Sequence, residues 1–521
     1  MKISFLSRFR GSAGNRFMAV ALAGLTTVAC QQQNRDSASS ADGPVSSGIK
    51  AEKISGAKPL NVVFILADDH RYDAMGFMGK IPGLETPNMD RMAREGIHVK
   101  NAFVSTALCS PSRASILTGQ YAHTHTIVDH SAPMPEGRRF FPQYLQAADY
   151  QTAFIGKWHM GNQDDEPQPG FDRWVSFKGQ GQYYNPTLNV DGEEVEYSDS
   201  TYMTDLLTRY AVNWLDSIDT DRPFFLYLSH KANHAEFYPA KRHAGKYADL
   251  KIRYPPSMFL SMTDTSTVEK PAGFRGPEGP VNLQDIPDWV REQRYSWHGV
   301  DYMYHGTIVF EDFYRRYLET LLALDESIGS VLDYLTENGL AENTVVIYMG
   351  DNGFGFGEHG LIDKRHMYEE SMRVPLLVWA PGMHFQRHKL EQMVQNIDIG
   401  PTVLDLAGVE TPSQMQGMSF APLLRGKDVP WRDKVFYEYY WEYAFPQTPT
   451  IIGVRTDRYK YIFNQGVWDI NEFYDLREDP WEVNNLIRSR THQDTIKGMV
   501  DAMWGWLEET EGLQIPLKRI G

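Results

Sequence analysis

The sequence predicts an α/β fold: a large mixed, mostly parallel sheet flanked by helices, with a smaller C-terminal antiparallel sheet and helix. Three observations predict it. Apolar, β-branched runs at residues 61–66, 223–228 and 344–349 read as strands buried on both faces, the usual pattern of parallel strands. An amphipathic helix precedes the third run, with Tyr317, Leu321, Leu324, Ile328, Val331 and Leu335 on one face before Asn338-Gly339. From about residue 426 the texture changes to short aromatic strands separated by turns.

A chain of 521 residues with 42% hydrophobic and 23% charged residues has ample material for a core and an appended subdomain. We read four parts: a signal segment at 1–29, a flexible linker at 30–58, the main α/β domain at 59–425, and a C-terminal subdomain at 426–521. No internal repeat is present. The net charge of −16 excludes a nucleic-acid binder, which needs a basic face. It also means that any anionic substrate would need a locally cationic pocket.

The N-terminus reads as an export signal. Lys2, Arg8, Arg10 and Arg16 form a basic start, and residues 17–28 are apolar but too few to span a membrane. The segment closes on Thr27-Val28-Ala29-Cys30, which resembles a bacterial lipoprotein processing box with Thr27 in the place usual for Leu. Two outcomes follow: lipidation at Cys30, with periplasmic or surface tethering, or a plain cleaved signal. Either leaves Cys109, the other cysteine, without an intramolecular disulfide partner. Residues 31–58, rich in Gln, Ser, Ala, Gly and Asp, read as a tether.

Along the main domain, strand signals alternate with polar clusters. The 61–66 run ends in Ala67-Asp68-Asp69-His70, two adjacent carboxylates that repel unless a cation or strong donors stand between them. Thr86, Pro87 and Gly96 mark a capped helix. Pro111 suits a first helical turn and Gly119 a stop, so Cys109 is placed at or just before a helix N-terminus, where free N–H groups favour negative charge. The strand at 152–155 leads to Lys157 and His159, and the 223–228 run leads to His230 and His234. Residues 236–310, rich in Tyr, Pro, Arg and Trp without periodicity, read as a loop-rich insertion, its aromatics either lining a cleft or packing the loops down. The 344–349 strand ends in Gly350-Asp351-Asn352-Gly353. Lys364, a strand at 374–379 and a helix at 398–407 complete the domain. In the C-terminal part, strands are expected at 435–440, 451–455 and 459–463, a polar turn at 474–480 after a strand, and a helix at 492–509.

Each polar cluster follows a strand, so Asp68, Asp69, Lys157, His159, His234, Asp351 and Asn352 should converge on one edge of one sheet. Three carboxylates and an amide oxygen suit a hard divalent cation, Ca²⁺ or Mg²⁺. Arg113, Lys157, Lys364 and the histidines suit an anionic oxyacid ester. With a divalent cation the pocket would carry roughly +2, enough to offset the acidic whole. His123, His125, His130, His366 and Arg71 are read as local structural residues, and Asp363 as a turn or pairing residue.

The segment Cys109-Ser110-Pro111-Ser112-Arg113-Ala114-Ser115-Ile116-Leu117-Thr118-Gly119 resembles the signature of the type I, formylglycine-dependent sulfatases of the alkaline phosphatase-like superfamily, and Gly156-Lys157-Trp158-His159-Met160-Gly161 resembles their second signature. The likeness runs from Asn61 to the C-terminal sheet. It implies a hydrolase of sulfate monoesters, with 59–425 as its catalytic domain. By it, a maturation enzyme converts Cys109 to formylglycine, whose hydrate is the nucleophile. Asp68, Asp69, Asp351, Asn352 and residue 109 ligate the metal, Ca²⁺ or Mg²⁺. Arg113 and Lys157 stabilise the developing charge, and His159 is the base that restores the aldehyde. His234 and Lys364 bind sulfate, one of them acting as acid to the leaving oxygen, with His230 the nearby rival of His234. Export and the aromatic, basic insertion point to a sulfated carbohydrate substrate and polysaccharide degradation. A phosphodiesterase or phosphonate monoester hydrolase of the same superfamily is the alternative, with a non-catalytic glycan-binding protein more distant.

Overall fold

A computed structural model describes residues 48–161, 163–262, 270–385, 387–466 and 469–514. The signal segment, Cys30 and the linker as far as residue 47 lie outside the described residues. Ile54 donates its backbone N–H to Gly408, and Glu410 donates to Glu52, so the stretch read as a tether gives way to fixed backbone before residue 58.

The strands in chain order are β1 (Asn61–Ala67), β2 (Ile97–Phe103), β3 (Gln151–Gly156), β4 (Arg173–Ser176), β5 (Thr187–Val190), β6 (Glu193–Glu196), β7 (Phe224–Ser229), β8 (Thr344–Gly350), β9 (Gly355–Phe356), β10 (Ile362–Asp363), β11 (Leu376–Trp379) and β12 (Lys389–Gln395). Ten of them form one sheet in the order β12-β2-β11-β8-β1-β7-β3-β4-β5-β6. The run β8-β1-β7-β3-β4 is parallel, as is β12 with β2, whereas β11 runs antiparallel to both neighbours and β5 and β6 close the far edge antiparallel.

The central strands are apolar because both faces are covered. Val62, Phe64 and Leu66 pack toward the helices Cys109–Thr118, Phe141–Ala147 and Ile399–Leu406. Val63 and Ile65 pack toward Pro87–Glu95, Met203–Ser217 and Phe310–Glu337. These alternating β1 side chains are 0% exposed, and burying each contributes about 1.5–3 kcal/mol.

The C-terminal sheet is four antiparallel strands, β13 (Lys434–Tyr439), β14 (Thr450–Thr456), β15 (Tyr459–Gln465) and β16 (Glu472–Asp475), in sequential order. Ile452 and Val454 meet Met499, Met503 and Trp506 of the helix Gln493–Glu509. Val435, Tyr437, Ile451 and Ile462 instead join the core that contains Val62 and Phe64, so one hydrophobic core runs through both sheets.

The buried strands stand where the apolar runs place them, and Cys109 opens the helix Cys109–Thr118, which ends at Gly119 with φ 65°. The amphipathic helix begins earlier than its clearest periodicity, at Phe310. Strands β2, β4, β5, β6 and β12 and the helix Met203–Ser217 carry no expectation from the sequence; β6 is largely exposed and acidic, with no buried stripe. Thr86 stands at the N-cap position of its helix, but its side chain makes no capping hydrogen bond. Its hydroxyl accepts from Gly76 and donates to Asp90, while the Asp325 carboxylate accepts from Asn88 and Met89.

The register of the central strands depends on a close approach at Gly156. Its φ is 127°, and a Cβ there would lie 1.7 Å from the Ser229 carbonyl oxygen. Gly156→Ala must therefore push β3 from β7 and displace Lys157. We expect a destabilisation of at least about 2 kcal/mol, read as a fall in the denaturant midpoint. An unchanged midpoint would contradict this tight pairing.

Candidate functional site

The parallel ladders continue past the strand ends and fix the loops beyond them. Ala67 of β1 stands beside Gly350 of β8, Leu66 beside Ser229 of β7, and Ser229 beside Gly156 of β3. The next residues stay tied: Asp351 donates its N–H to Ala67, Asp68 to Ala232, His230 to Leu66, and Lys157 to Ser229. Asp68, Asp351, Lys157 and the 230–234 turn are thereby side by side at the C-terminal edge of the sheet. The helix Cys109–Thr118 supplies Cys109 and, one turn on, Arg113.

Four acidic or thiol groups meet there. Ligand atoms of Asp68, Asp69, Cys109 and Asp351 lie within 4.8 Å of one another, and none of these residues is exposed. Cys109 Sγ lies 3.3 Å from Asp68 Oδ1. Asp69 takes a left-handed φ of 49°, and its N–H donates to Asp351 Oδ1 at 3.1 Å. Asn352 Nδ2 donates to Asp69 Oδ1 at 2.7 Å. Asp69 Oδ2 and Asn352 Oδ1 are buried without a hydrogen-bond partner. An orphaned carboxylate oxygen and an orphaned amide oxygen among clustered carboxylates are the donors a hard divalent cation takes, so Asp68, Asp69, Asp351 and Asn352 fit such an ion.

Cationic side chains surround the cluster. Arg113 donates Nε to Asp351 Oδ2 at 2.9 Å and Nη1 to Ser229 Oγ at 2.6 Å and Lys157 O at 2.7 Å. Lys157 Nζ pairs with Asp68 and donates to Gln180 Oε1 at 2.6 Å. Lys364 Nζ pairs with Asp69. Burial alone would raise Asp68, yet Lys157, helped by Arg113 and Lys364, holds it well below the usual carboxylate range. Asp69 goes the other way: burial, then the neighbouring Asp68 and Asp351, push it to about 8 against the pull of Lys364. Burial and Asp68 also push the Cys109 thiol far up, so it is protonated at neutral pH.

The histidines line the same edge. His234 lies within 4.8 Å of Asp68 and Cys109, is partly exposed, and donates Nδ1–H to the Ala235 carbonyl, leaving Nε2 for a ligand. Its rival His230 is turned away, with Nε2 3.0 Å from Ser327 Oγ on the long helix. His159, at φ 55°, accepts the Ser110 hydroxyl on its carbonyl, and Ser110 Oγ is 3.5 Å from its Nδ1. Burial and the nearby cations, Lys157 first, hold both His159 and His234 well below the usual imidazole range, so both are neutral at rest.

Two further residues stand at this edge that the sequence reading gave no role in the site. His130, read as structural, has its ring 4.5 Å from that of His159, and its ligand nitrogen lies within 4.8 Å of Cys109 Sγ. It arrives on a loop, so nothing in its spacing signals this. Lys231 donates to the Gln180 carbonyl at 3.0 Å and stands over the Tyr183 ring; burial, then Lys157, lowers it to about 7. It follows β7 as the other site residues follow their strands, and that rule could have found it. The remaining structural readings agree with the contacts: His123 pairs with Glu438, His125 meets Ser115, Arg71 pairs with Asp73 and Glu358, His366 rests against Tyr368, and Asp363 pairs with Arg365 and His298.

Comparisons with known proteins agree with this fold. A family profile described as "Sulfatase" matches residues 60–409, and one described as "N-sulphoglucosamine sulphohydrolase, C-terminal" matches residues 357–509. An N-acetylglucosamine-6-O-sulfatase of Bacteroides thetaiotaomicron is 34% identical over 490 residues, covering 87% of this chain and 86% of that protein. A solved structure of BT4656 with its substrate D-glucosamine-2-N,6-O-disulfate superposes with a TM-score of 0.74 at 32% identity, covering 89% of this chain and all of that one. A phosphonate monoester hydrolase of Agrobacterium radiobacter shares the fold at 19% identity, with a TM-score of 0.65 and coverage of 87% and 96%.

The orphaned oxygens of Asp69 and Asn352 are expected to make the protein's stability depend on a divalent cation. At a hundredfold excess over Kd, Ca²⁺ or Mg²⁺ should add about 2.7 kcal/mol, read as a higher melting midpoint that EDTA reverses and Asp69→Asn largely removes. Without cation, folded Asp69 keeps its proton to about pH 8, whereas in the unfolded chain it loses it near pH ~4. Its contribution to stability therefore falls as pH rises through that window, and bound cation should suppress the loss. A midpoint indifferent to both ions would exclude the site.

Proposed function

The chain belongs to the sulfatase family, the sulfuric ester hydrolases, and from that premise we propose that it removes sulfate from a 6-O-sulfated glucosamine unit of a sulfated saccharide. The 34% identity to an N-acetylglucosamine-6-O-sulfatase over nearly the whole length carries this reading of the substrate. The likeness to the phosphonate hydrolase is one of fold, so the phosphodiesterase and phosphonate alternative is not favoured, and no expected catalytic position is missing for a merely glycan-binding protein.

Each residue then has a task. A thiol held protonated by burial and by Asp68 is a poor nucleophile, which supports its replacement. Conversion of Cys109 to formylglycine by a maturation enzyme supplies an aldehyde that adds water, placing an oxygen nucleophile at the helix N-terminus. Asp68, Asp69, Asp351, Asn352 and residue 109 would hold Ca²⁺, with Mg²⁺ the alternative; when bound, the ion supplies Lewis-acid charge to the reacting oxygens. Arg113 and Lys157, already fixed by Asp351, Ser229 and Gln180, offset negative charge that grows on residue 109 and the sulfate. Lys364 orients the sulfate from the Asp69 side. His234 Nε2 takes a proton once an anionic ester sits between it and the lysines, and gives it to the departing sugar oxygen. His159, neutral at rest, accepts the proton whose removal from residue 109 expels sulfate.

The enzyme matured in its native host should desulfate 6-O-sulfated N-acetylglucosamine and turn over nitrophenyl sulfate far faster than a nitrophenyl phosphodiester. Mass spectrometry should show aldehyde at position 109, and Cys109→Ser should lower kcat at least about 10³-fold. Preference for the phosphodiester, or retained activity in Cys109→Ser, would overturn the assignment.

Among the described residues no helix is long and apolar enough to cross a membrane. We read the chain as exported and held at a membrane only through lipid on Cys30, facing a periplasmic or extracellular substrate. Cys30→Ala should move the protein from the membrane fraction to the soluble fraction; an unchanged distribution would argue for a plain cleaved signal.

A further inference from the structure

The loop between β13 and β14 carries aromatic side chains of two kinds. Phe445 is turned inward, where the Arg365 guanidinium stands 3.8 Å from its ring centroid and His298 stacks on it at 4.6 Å. Glu442 is also turned inward, accepting from Arg365 Nε at 3.0 Å and from the Tyr439 hydroxyl at 2.9 Å. The residues on either side of Glu442 point out: Trp441 is 40% and Tyr443 83% exposed, with ring centroids 6.4 Å apart and planes at 86°. Trp441 Nε1 is fixed to the Pro446 carbonyl at 3.1 Å.

This loop holds the residue that follows Lys364 in the chain. Arg365, which it grips from two sides, follows Lys364, the partner of Asp69. Arg365 also pairs with Asp363, which His298 of the insertion contacts at 3.2 Å. Two rings are thus presented to solvent on a loop held by a buried ion pair and a cation–π contact, one residue along the chain from a sulfate-side lysine. Trp441, held through its Nε1, has already lost conformational freedom, so a ligand meeting it incurs little ordering cost.

We propose that Tyr443 and Trp441 form a stacking subsite for a second sugar ring of the sulfated saccharide, next to the unit that loses sulfate. A pyranose ring presents a face of C–H bonds and a rim of hydroxyls. The C–H face suits the negative face of an aromatic ring, and the rim suits the polar end of Tyr or Trp. The inference rests on the saccharide reading above and extends it from one sugar unit to two.

The test is calorimetric, on the inactive Cys109→Ser protein, with a 6-O-sulfated glucosamine monosaccharide and a matching tetrasaccharide. The tetrasaccharide should bind about tenfold tighter. Tyr443→Ala should abolish the difference and Tyr443→Phe should keep it. Equal affinity for the two saccharides, or a difference that survives Tyr443→Ala, would overturn the subsite while leaving the substrate reading intact. Binding of neither saccharide would overturn both. Sedimentation of the same variants supplies the remaining arm: if Tyr443→Ala converts a dimer to a monomer without changing saccharide affinity, the rings belong to a contact between copies and the proposal fails.

Discussion

The site depends first on strand register. Parallel pairing of β1 with β8 sets Ala67 opposite Gly350, and pairing with β7 and β3 sets Leu66, Ser229 and Gly156 in one line. Because side chains alternate along a strand, a slip of one residue would bury the wrong face of β1 and carry Asp68 away from Asp351. The apolar residues that lock the register, Val62 to Leu66, touch no substrate, yet they fix the carboxylates more tightly than any contact among the carboxylates could. Gly156 belongs to the same device, since a side chain there would force β3 and β7 apart.

Register brings like charges together, and that has to be balanced. Asp68, Asp69 and Asp351 face Arg113, Lys157 and Lys364 in a space with almost no water access. The pairs are specific: Lys157 with Asp68, Lys364 with Asp69, Arg113 with Asp351. This reconciles a strongly acidic chain with an anionic substrate. The carboxylates hold the cations in place, and a divalent ion held by the orphaned oxygens of Asp69 and Asn352 would tip the balance toward positive charge. Charge far from the edge has little say, because bulk water and salt screen it.

The sequence displays this centre well because its parts obey short-range rules. Buried parallel strands announce themselves as apolar runs, and the residue after such a run sits at the edge where ligands bind, which suffices for Asp68, Lys157 and Asp351. Pro111 and Gly119 bracket the helix that presents Cys109. The rules fail where a contact is made by chain return. Asp325 caps the helix after Thr86 from more than two hundred residues away, and no local pattern could transfer that role from Thr86. His130 reaches His159 on a loop with no period. The edge strand β6 is largely exposed and its neighbour β5 is only four residues long, so neither carries the continuous apolar run that marks the centre.

The same division separates chemistry from selectivity. The floor of the site comes from strand ends and one helix N-terminus, all fixed by core packing. The rim comes from segments distant in sequence that meet around Arg365: the insertion through His298, the stretch at 363–365, and the β13–β14 loop through Glu442 and Phe445. Core packing tolerates little change, because the strand-end residues of the floor follow strands that pair on both sides. The exposed faces of Trp441 and Tyr443 bear no such load: their neighbours Glu442 and Phe445 hold the loop, leaving the two outward rings free to vary with the saccharide. A fold arranged this way can keep one sulfate-cleaving centre while its rim is rebuilt for different sugars, because the residues that fix the reacting atoms and those that meet the rest of the substrate lie on different elements.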